Sequence, residues 1–176
     1  AGKDLLVLMP TGGGKSVCYQ LAALMSPGFT IIISPLIALI WDQISELNAK
    51  NIPAMAWNAD ITVEELYEIR SNIQSGNLKI LYTTPEMLIQ SQFLKSFLVS
   101  SSSSSSSCGS NLNNKKGKTN EKEHLDRIII DEAHCVSNWG HEFRESYLEL
   151  TKLKKDLSGI QIVAFTATAT PTVQLD

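Results

Sequence analysis

The sequence predicts a parallel α/β sheet built as one domain. Short β-rich runs alternate with stretches of helical periodicity. The longest apolar runs, such as Ile31–Ile33 and Ile128–Ile130, have strand length, and 176 residues fit a single unit. The apolar fraction of 43% is that of an ordinary globular chain. Setting aside a serine-rich stretch leaves roughly 150 residues, enough to bury about 68–70% of the unfolded surface.

Leu5–Met9 is the first predicted strand, followed by a Gly-rich turn and a helix from about Lys15 to Met25 that Pro27-Gly28 stops. Thr30–Ser34 is the second strand. Ser34 then suits a helix cap and Pro35 the first helical turn. Ile37, Ile40, Trp41, Ile44 and Leu47 follow at helical spacing and are expected to face the core. Pro53–Trp57 is a third strand, and Thr62 with Glu65 forms a capping-box pair opening a helix that Gly76 ends. Lys79–Thr83 is a strand, Pro85 opens another helix, and Arg127–Asp131 and Gln161–Phe165 complete six strands. Trp41 and Trp57 are expected to pack, and Cys135 to be a small buried side chain.

One segment breaks the pattern. Ser100 to Ser107 is continuous serine, and Asn-, Lys- and Gly-rich sequence continues to about Glu123. Such a stretch buries too little apolar surface to offset its ordering entropy, so residues 100–123 are predicted to be a disordered insert. A flexible loop of this length spans roughly 25–30 Å, so leaving and rejoining the domain is easy. Lys115, Lys116, Lys118 and Lys122 are read as a solvated tract, with contact to a phosphate backbone as the alternative.

Composition excludes several classes. The net charge of −3 gives no support for nucleic-acid binding, so any such claim must come from local motifs. No apolar run approaches membrane-spanning length, and no signal peptide is visible. The three cysteines, Cys18, Cys108 and Cys135, show no C-x-x-C spacing, which fits a reducing, intracellular setting and gives no zinc site. The opening Ala1-Gly2-Lys3-Asp4, without Met, is that expected of a fragment of something longer.

The strongest motif is Met9-Pro10-Thr11-Gly12-Gly13-Gly14-Lys15-Ser16, between a predicted strand and a predicted helix. A phosphate chain needs inward-pointing backbone N–H groups, and glycine allows the backbone to approach closely and turn sharply. The helix N-terminus adds partial positive charge. Thr11, Gly12, Gly13, Gly14, Lys15 and Ser16 are therefore the candidate phosphate-binding residues, with Lys15 on the β/γ-phosphates and the Ser16 hydroxyl suited to Mg²⁺. The strict pattern has Gly where this chain has Met9.

Ile128-Ile129-Ile130-Asp131-Glu132-Ala133-His134 supplies the second half. An apolar strand ending in adjacent acids sets carboxylates at the carboxyl edge of the sheet, where ligands of open α/β folds bind. Asp131 suits Mg²⁺, through water or directly, and Glu132 can orient and deprotonate an attacking water. Downstream of a phosphate loop, the pair favours ATP hydrolysis over nucleotide storage.

These residues resemble those of a known family. Asp131-Glu132-Ala133-His134 is similar to the acidic box of superfamily 2 helicases. Cys135 through Arg144, containing Trp139-Gly140-His141 and Phe143, resembles the aromatic-rich loop of RecQ helicases, whose motif I also begins Met-Pro-Thr. Ser34 through Leu39, with Asp42-Gln43, resembles motif Ia, Tyr82 through Glu86 motif Ib, and Phe165 through Thr170 motif III. Two departures stand out. Asn138 replaces the usual Gln, and Glu145-Ser146-Tyr147 the usual Pro-Asp-Tyr.

The resemblance implies a RecA-like P-loop domain, mostly parallel sheet flanked by helices, the first motor domain of an ATP-dependent 3′-to-5′ DNA helicase. It implies that Lys15, Asp131, Glu132 and His134 are catalytic, with Ser16 and Asp131 on the metal. Ser34, Pro35, Thr84, Pro85 and Glu86 would meet the DNA backbone, and Trp139, Phe143 and Arg144 would engage single-stranded DNA. His134 with Thr166 and Thr168 would couple hydrolysis to movement. Aromatic stacking and Arg–phosphate pairing agree with the loop's role, while core packing is the other reading of Trp139 and Phe143. The family's glutamine motif, second motor domain with its arginine finger, zinc-binding region and accessory domains are missing from the chain, which is not expected to unwind DNA alone. The family implies a nuclear protein in a eukaryote and a cytoplasmic one otherwise. Two rivals remain: a small-molecule P-loop kinase, which leaves the acidic box and Thr-Ala-Thr run unexplained, and a non-catalytic nucleotide-dependent DNA-binding module.

Overall fold

A computed structural model describes residues 3–92, 125–136, 145–153 and 160–169. The predicted insert at 100–123 and the aromatic-rich loop residues Trp139, Phe143 and Arg144 lie outside the described residues.

The chain runs β1 (Leu5–Leu8), α1 (Lys15–Leu24), β2 (Phe29–Ile33), α2 (Ile37–Ala49), β3 (Ala54–Trp57), α3 (Val63–Gln74), β4 (Ile80–Thr83), α4 (Pro85–Gln90), β5 (Leu125–Ile130), a 3₁₀ turn (Ala133–Val136), α5 (Glu145–Leu153) and β6 (Gln161–Thr166). The strands form one sheet in the order β1-β6-β5-β2-β4-β3. Every neighbouring pair is parallel. The fold is thus the α/β sheet flanked by helices that the sequence predicts.

Successive side chains of a strand point to opposite faces, and β2 shows why both faces here must be covered. Ile31 and Ile33 join one apolar cluster with Ile69 and Ile73 of α3, Leu88 of α4 and Tyr147 of α5. Ile32 between them joins the other, with Tyr19 and Ala23 of α1 and Ile40, Ile44 and Leu47 of α2. All five residues of β2 are buried, as expected of a central parallel strand clad on both sides. Burying each Ile contributes about 1.5–3 kcal/mol. Trp57 and Cys135 are buried as expected.

Local chemistry sets the element ends. The Thr62 hydroxyl accepts the Glu65 N–H at 3.2 Å while the Glu65 carboxylate accepts the Thr62 N–H at 2.8 Å, a complete capping box. Gly76 follows the end of α3 at φ 69°, a left-handed conformation that suits glycine. Pro85 opens α4, where the Thr84 hydroxyl accepts the Met87 N–H.

Two expectations on α2 fail. The helix begins at Ile37 rather than in the turn of Pro35, and its cap is Leu36 rather than Ser34. Ser34 N–H still donates to the Thr83 carbonyl of the neighbouring strand at 3.0 Å, so the chain leaves the sheet only after Ser34 and turns at Pro35–Leu36. Ile37 and Trp41 are exposed, at 53% and 47%. The buried stripe is instead Ile40, Gln43, Ile44 and Leu47: a polar side chain takes an inward position on this helix.

Candidate functional site

Parallel strands present all their carboxyl ends at one edge, and the turns after β1, β5 and β6 meet there. After β1 the chain turns back sharply, with Gly13 N–H donating to the Pro10 carbonyl at 2.9 Å. A Cβ at Gly13 would meet that same oxygen at 2.9 Å, too close for any side chain to be added without a shift. Gly14 caps α1 at φ 81° with no side-chain cap bond. The amide groups of the first helical turn thus remain available as donors at the positive end of the helix.

Lys15 leaves this turn and points across the edge. Its ammonium lies 3.1 Å from Glu132 Oε1. Glu132 directly follows Asp131 at the end of β5, in a left-handed backbone conformation (φ 48°) that L side chains rarely adopt. That turn swings the Glu132 carboxylate toward the phosphate loop, while Asp131 stays buried at 4% exposure. Asp131 Oδ1 accepts the Glu132 N–H at 3.0 Å, and its Oδ2 accepts from the Tyr19 hydroxyl at 3.4 Å. Burial raises the Asp131 pKa most; the Glu132 N–H bond, and then the Lys15 charge and the Tyr19 hydroxyl, oppose that rise, while the Glu132 charge adds to it.

His134 closes the group from the 3₁₀ turn. Its Nδ1 is 3.2 Å from Glu132 Oε2 and 2.9 Å from the Thr166 hydroxyl at the end of β6. A carboxylate only accepts, so Nδ1 carries the proton when it faces Glu132. Thr168 N–H donates to the Thr166 hydroxyl at 3.2 Å, tying the next residues into the same chain of bonds. Lys15, Ser16, Asp131, Glu132, His134, Thr166 and Thr168 therefore meet at one edge.

The remaining sequence candidates that the structure describes stand further along the same edge, after β2 and β4. Ser34 and Pro35 are buried at the carboxyl end of β2, and the Ser34 hydroxyl has no hydrogen-bond partner among the described residues. Thr84 and Pro85 are buried at the end of β4. The Glu86 carboxylate accepts from the Ser146 hydroxyl at 2.7 Å, which joins α4 to α5.

Sequence reasoning missed four side chains around the site. Tyr147 of α5 donates to the Asp131 carbonyl at 3.0 Å. Tyr19, Gln43 and Tyr82 form a buried cluster beneath the phosphate loop. Tyr19 lies one helical turn beyond Ser16, and Gln43 occupies a place in an otherwise apolar stripe; both signals were legible.

A two-oxygen protein donor set of Ser16 and Asp131 fits Mg²⁺, which keeps waters and takes nucleotide phosphates rather than an all-protein cage. The glycine turn fits a phosphate chain at the same place.

Comparison with known proteins points the same way. Residues 1–175 match the model of the DEAD/DEAH box helicase family. The chain is 42% identical to ATP-dependent DNA helicase Q5 of Rattus norvegicus over 99% of this chain and 16% of that protein. It is 41% identical to ATP-dependent helicase SGS1 of Saccharomyces cerevisiae, over 99% of this chain and 11% of that one. For ATP-dependent DNA helicase RecQ of Haemophilus influenzae the identity is 39%, over 99% and 25%. The chain thus spans a quarter or less of these relatives. Among solved structures, the DUF1998 helicase MrfA superposes with a TM-score of 0.65 at 21% identity, over 96% of this chain and 25% of that one. The Hef helicase domain of Pyrococcus furiosus gives 0.59 at 17%, over 99% and 32%. Both likenesses concern the fold.

Proposed function

Since this chain belongs to the DEAD/DEAH box helicase family, we propose that it is the ATP-binding motor domain of a RecQ-like, ATP-dependent 3′-to-5′ DNA helicase. The observation that carries this reading is the convergence of Lys15 with Glu132, His134 and Thr166 at one sheet edge. The turns after β1, β5 and β6, strands that neighbour one another in the sheet, all contribute to it.

In this reading the glycine turn binds the phosphates of ATP through backbone N–H groups, and the Lys15 ammonium adds charge at the β/γ-phosphates. Phosphates arriving at Lys15 arrive within reach of Glu132, its partner at 3.1 Å. Ser16 and Asp131 would hold Mg²⁺, which supplies charge stabilisation for the transferring phosphoryl group when bound. Glu132 orients the attacking water and takes its proton. His134, whose Nδ1 is within reach of both the Glu132 carboxylate and the Thr166 hydroxyl, links the water-activating carboxylate to the segment after β6. Single-stranded DNA would be engaged by Trp139, Phe143 and Arg144, with Ser34, Pro35 and the Thr84–Glu86 turn beside its backbone. The second motor domain would be supplied in cis by a longer protein. No described helix is long and apolar enough to cross a membrane, and action on DNA implies a nuclear place in a eukaryote.

The test is ATP turnover by the full-length protein with and without single-stranded DNA. Lys15→Ala should abolish turnover and sharply weaken nucleotide binding. Glu132→Gln should keep binding and lose turnover, because it keeps the shape of the side chain and removes the base. Trp139→Ala and Phe143→Ala should keep basal turnover and lose stimulation by DNA, at roughly 1–3 kcal/mol per stacking contact. Normal hydrolysis in either of the first two variants would sink the site, and nucleotide binding without any turnover in the unaltered protein would reduce the chain to a nucleotide-dependent DNA-binding module.

A further inference from the structure

Beneath the phosphate loop lies a polar cluster that the chemistry above does not use. Tyr19 and Tyr82 are each 1% exposed, and Gln43 is 7% exposed. Tyr19 and Tyr82 both belong to the apolar cluster on that face of the sheet. Polar groups in such a place are costly unless they satisfy one another.

The bonding directions follow from what each group can do. Gln20 Nε2 can only donate, and it lies 3.2 Å from the Tyr82 hydroxyl. The Tyr82 proton therefore goes to Gln43 Oε1, at 2.6 Å. With its oxygen turned to the tyrosines, Gln43 presents its amide N–H groups to Ser16 Oγ at 3.3 Å. The single Tyr19 proton is shared between Gln43 Oε1 at 3.1 Å and Asp131 Oδ2 at 3.4 Å. Asp131 is thereby held on both oxygens, since Oδ1 accepts the Glu132 N–H.

Gln43 thus stands one hydrogen bond from Ser16 and, through Tyr19, two from Asp131. These are the two oxygens assigned above to the cation. We infer that Gln43 is a positioning residue: with Tyr19 and Tyr82 it fixes the Ser16 hydroxyl and the Asp131 carboxylate relative to each other, so that both are in place before a divalent cation arrives with the nucleotide. One lone pair of Ser16 Oγ is occupied by the Gln43 N–H, which orients the other. Groups that orient metal ligands in this way ordinarily matter by roughly 10–100-fold in metal affinity.

The inference rests on the nucleotide-site reading, and its test separates the two. Binding of a fluorescent, non-hydrolysable ATP analogue to the full-length protein is measured in EDTA and across a Mg²⁺ titration. Gln43→Met keeps length and loses every bond. It should bind the analogue in EDTA as the unaltered protein does, while the half-saturating Mg²⁺ concentration rises roughly 10–100-fold. Tyr82→Phe removes one hydroxyl that touches neither Ser16 nor Asp131 and should raise it in the same direction by a smaller factor. If Gln43→Met does not fold, Tyr82→Phe alone decides the matter. An unchanged Mg²⁺ requirement, or a loss of binding equal with and without the cation, overturns the positioning role. Lys15→Ala is the control for the site itself: analogue binding that it leaves intact overturns the nucleotide reading instead.

Discussion

Replacing Glu132 by glycine and, separately, by alanine should separate what its side chain does from what its backbone costs. Glu132 sits at φ 48°, and holding an L residue in the left-handed region costs about 1–2 kcal/mol. Both substitutions remove the Lys15 pair, whose members are 10% and 27% exposed, a contact contributing roughly 0–1 kcal/mol at such partly solvated positions. Both also remove the His134 contact. Only glycine relieves the backbone, and its freer unfolded chain takes back about 0.5–1 kcal/mol of that gain. Glu132→Gly should therefore be more stable than Glu132→Ala by about 0.5–1 kcal/mol. At about 2–4 °C per kcal/mol for a domain of this size, the melting points should differ by about 1–4 °C. The assay is urea and thermal unfolding of the two variants side by side, with ATP turnover as a check that neither hydrolyses. An alanine variant as stable as the glycine variant would refute the claim that this carboxylate is held in position against a backbone cost.

Tyr147→Phe should fold normally but lose about 1–3 kcal/mol of stability in urea unfolding, because the buried Asp131 carbonyl loses its phenol donor; an unchanged midpoint would discount that bond. Tyr19 titrates near 10.0 when unfolded and at about 12 when folded, so its contribution is fully present below pH 10 and lost as the pH rises through about 12. The unaltered protein should accordingly lose more stability between pH 10 and pH 12 than Tyr19→Phe does, measured by urea midpoints at each pH. Gly13→Ala places a methyl 2.9 Å from the Pro10 carbonyl oxygen. It should weaken ATP-analogue binding by at least about tenfold, or about 1.4 kcal/mol, and also lower the melting point, because the backbone of the turn must shift to admit the methyl.

Most of the architecture was legible because its signals are local. Thr62 and Glu65 announce a capping box three residues apart, Gly76 announces the end of the same helix, and Ile31–Ile33 announces a strand buried on both faces. The start of α2 was not legible from Ser34 and Pro35, because a non-local bond from Ser34 N–H to Thr83 keeps Ser34 in the sheet. Trp41 was misplaced for a related reason. Hydrophobic spacing says which residues share a helix face, but the inward position went to Gln43, whose partners Tyr19 and Tyr82 come from distant elements. At the site, residue types and spacing picked out Lys15, Ser16, Asp131 and Glu132, and the family resemblance added His134 and Thr166. The left-handed turn at Glu132 and the shared His134 Nδ1 depend on how β1, β5 and β6 lie together, which periodicity does not encode.

The order of strands in the sheet has a consequence for how the molecule is made. β1 has a single neighbour, β6, and the two are separated by nearly the whole sequence: the Asp4 carboxylate accepts the Ile162 N–H across 158 residues. At roughly 5–20 residues per second, a ribosome needs about 8–32 s to cover that distance. During that interval β1 and the phosphate loop that follows it wait for β6, the one strand beside β1 in the sheet. Closing so long a loop is also the slowest kind of contact for a chain to make. ATP binding should therefore appear late and abruptly during synthesis, when β6 arrives, and nascent chains stalled before Gln161 should hold the central strands without a nucleotide site.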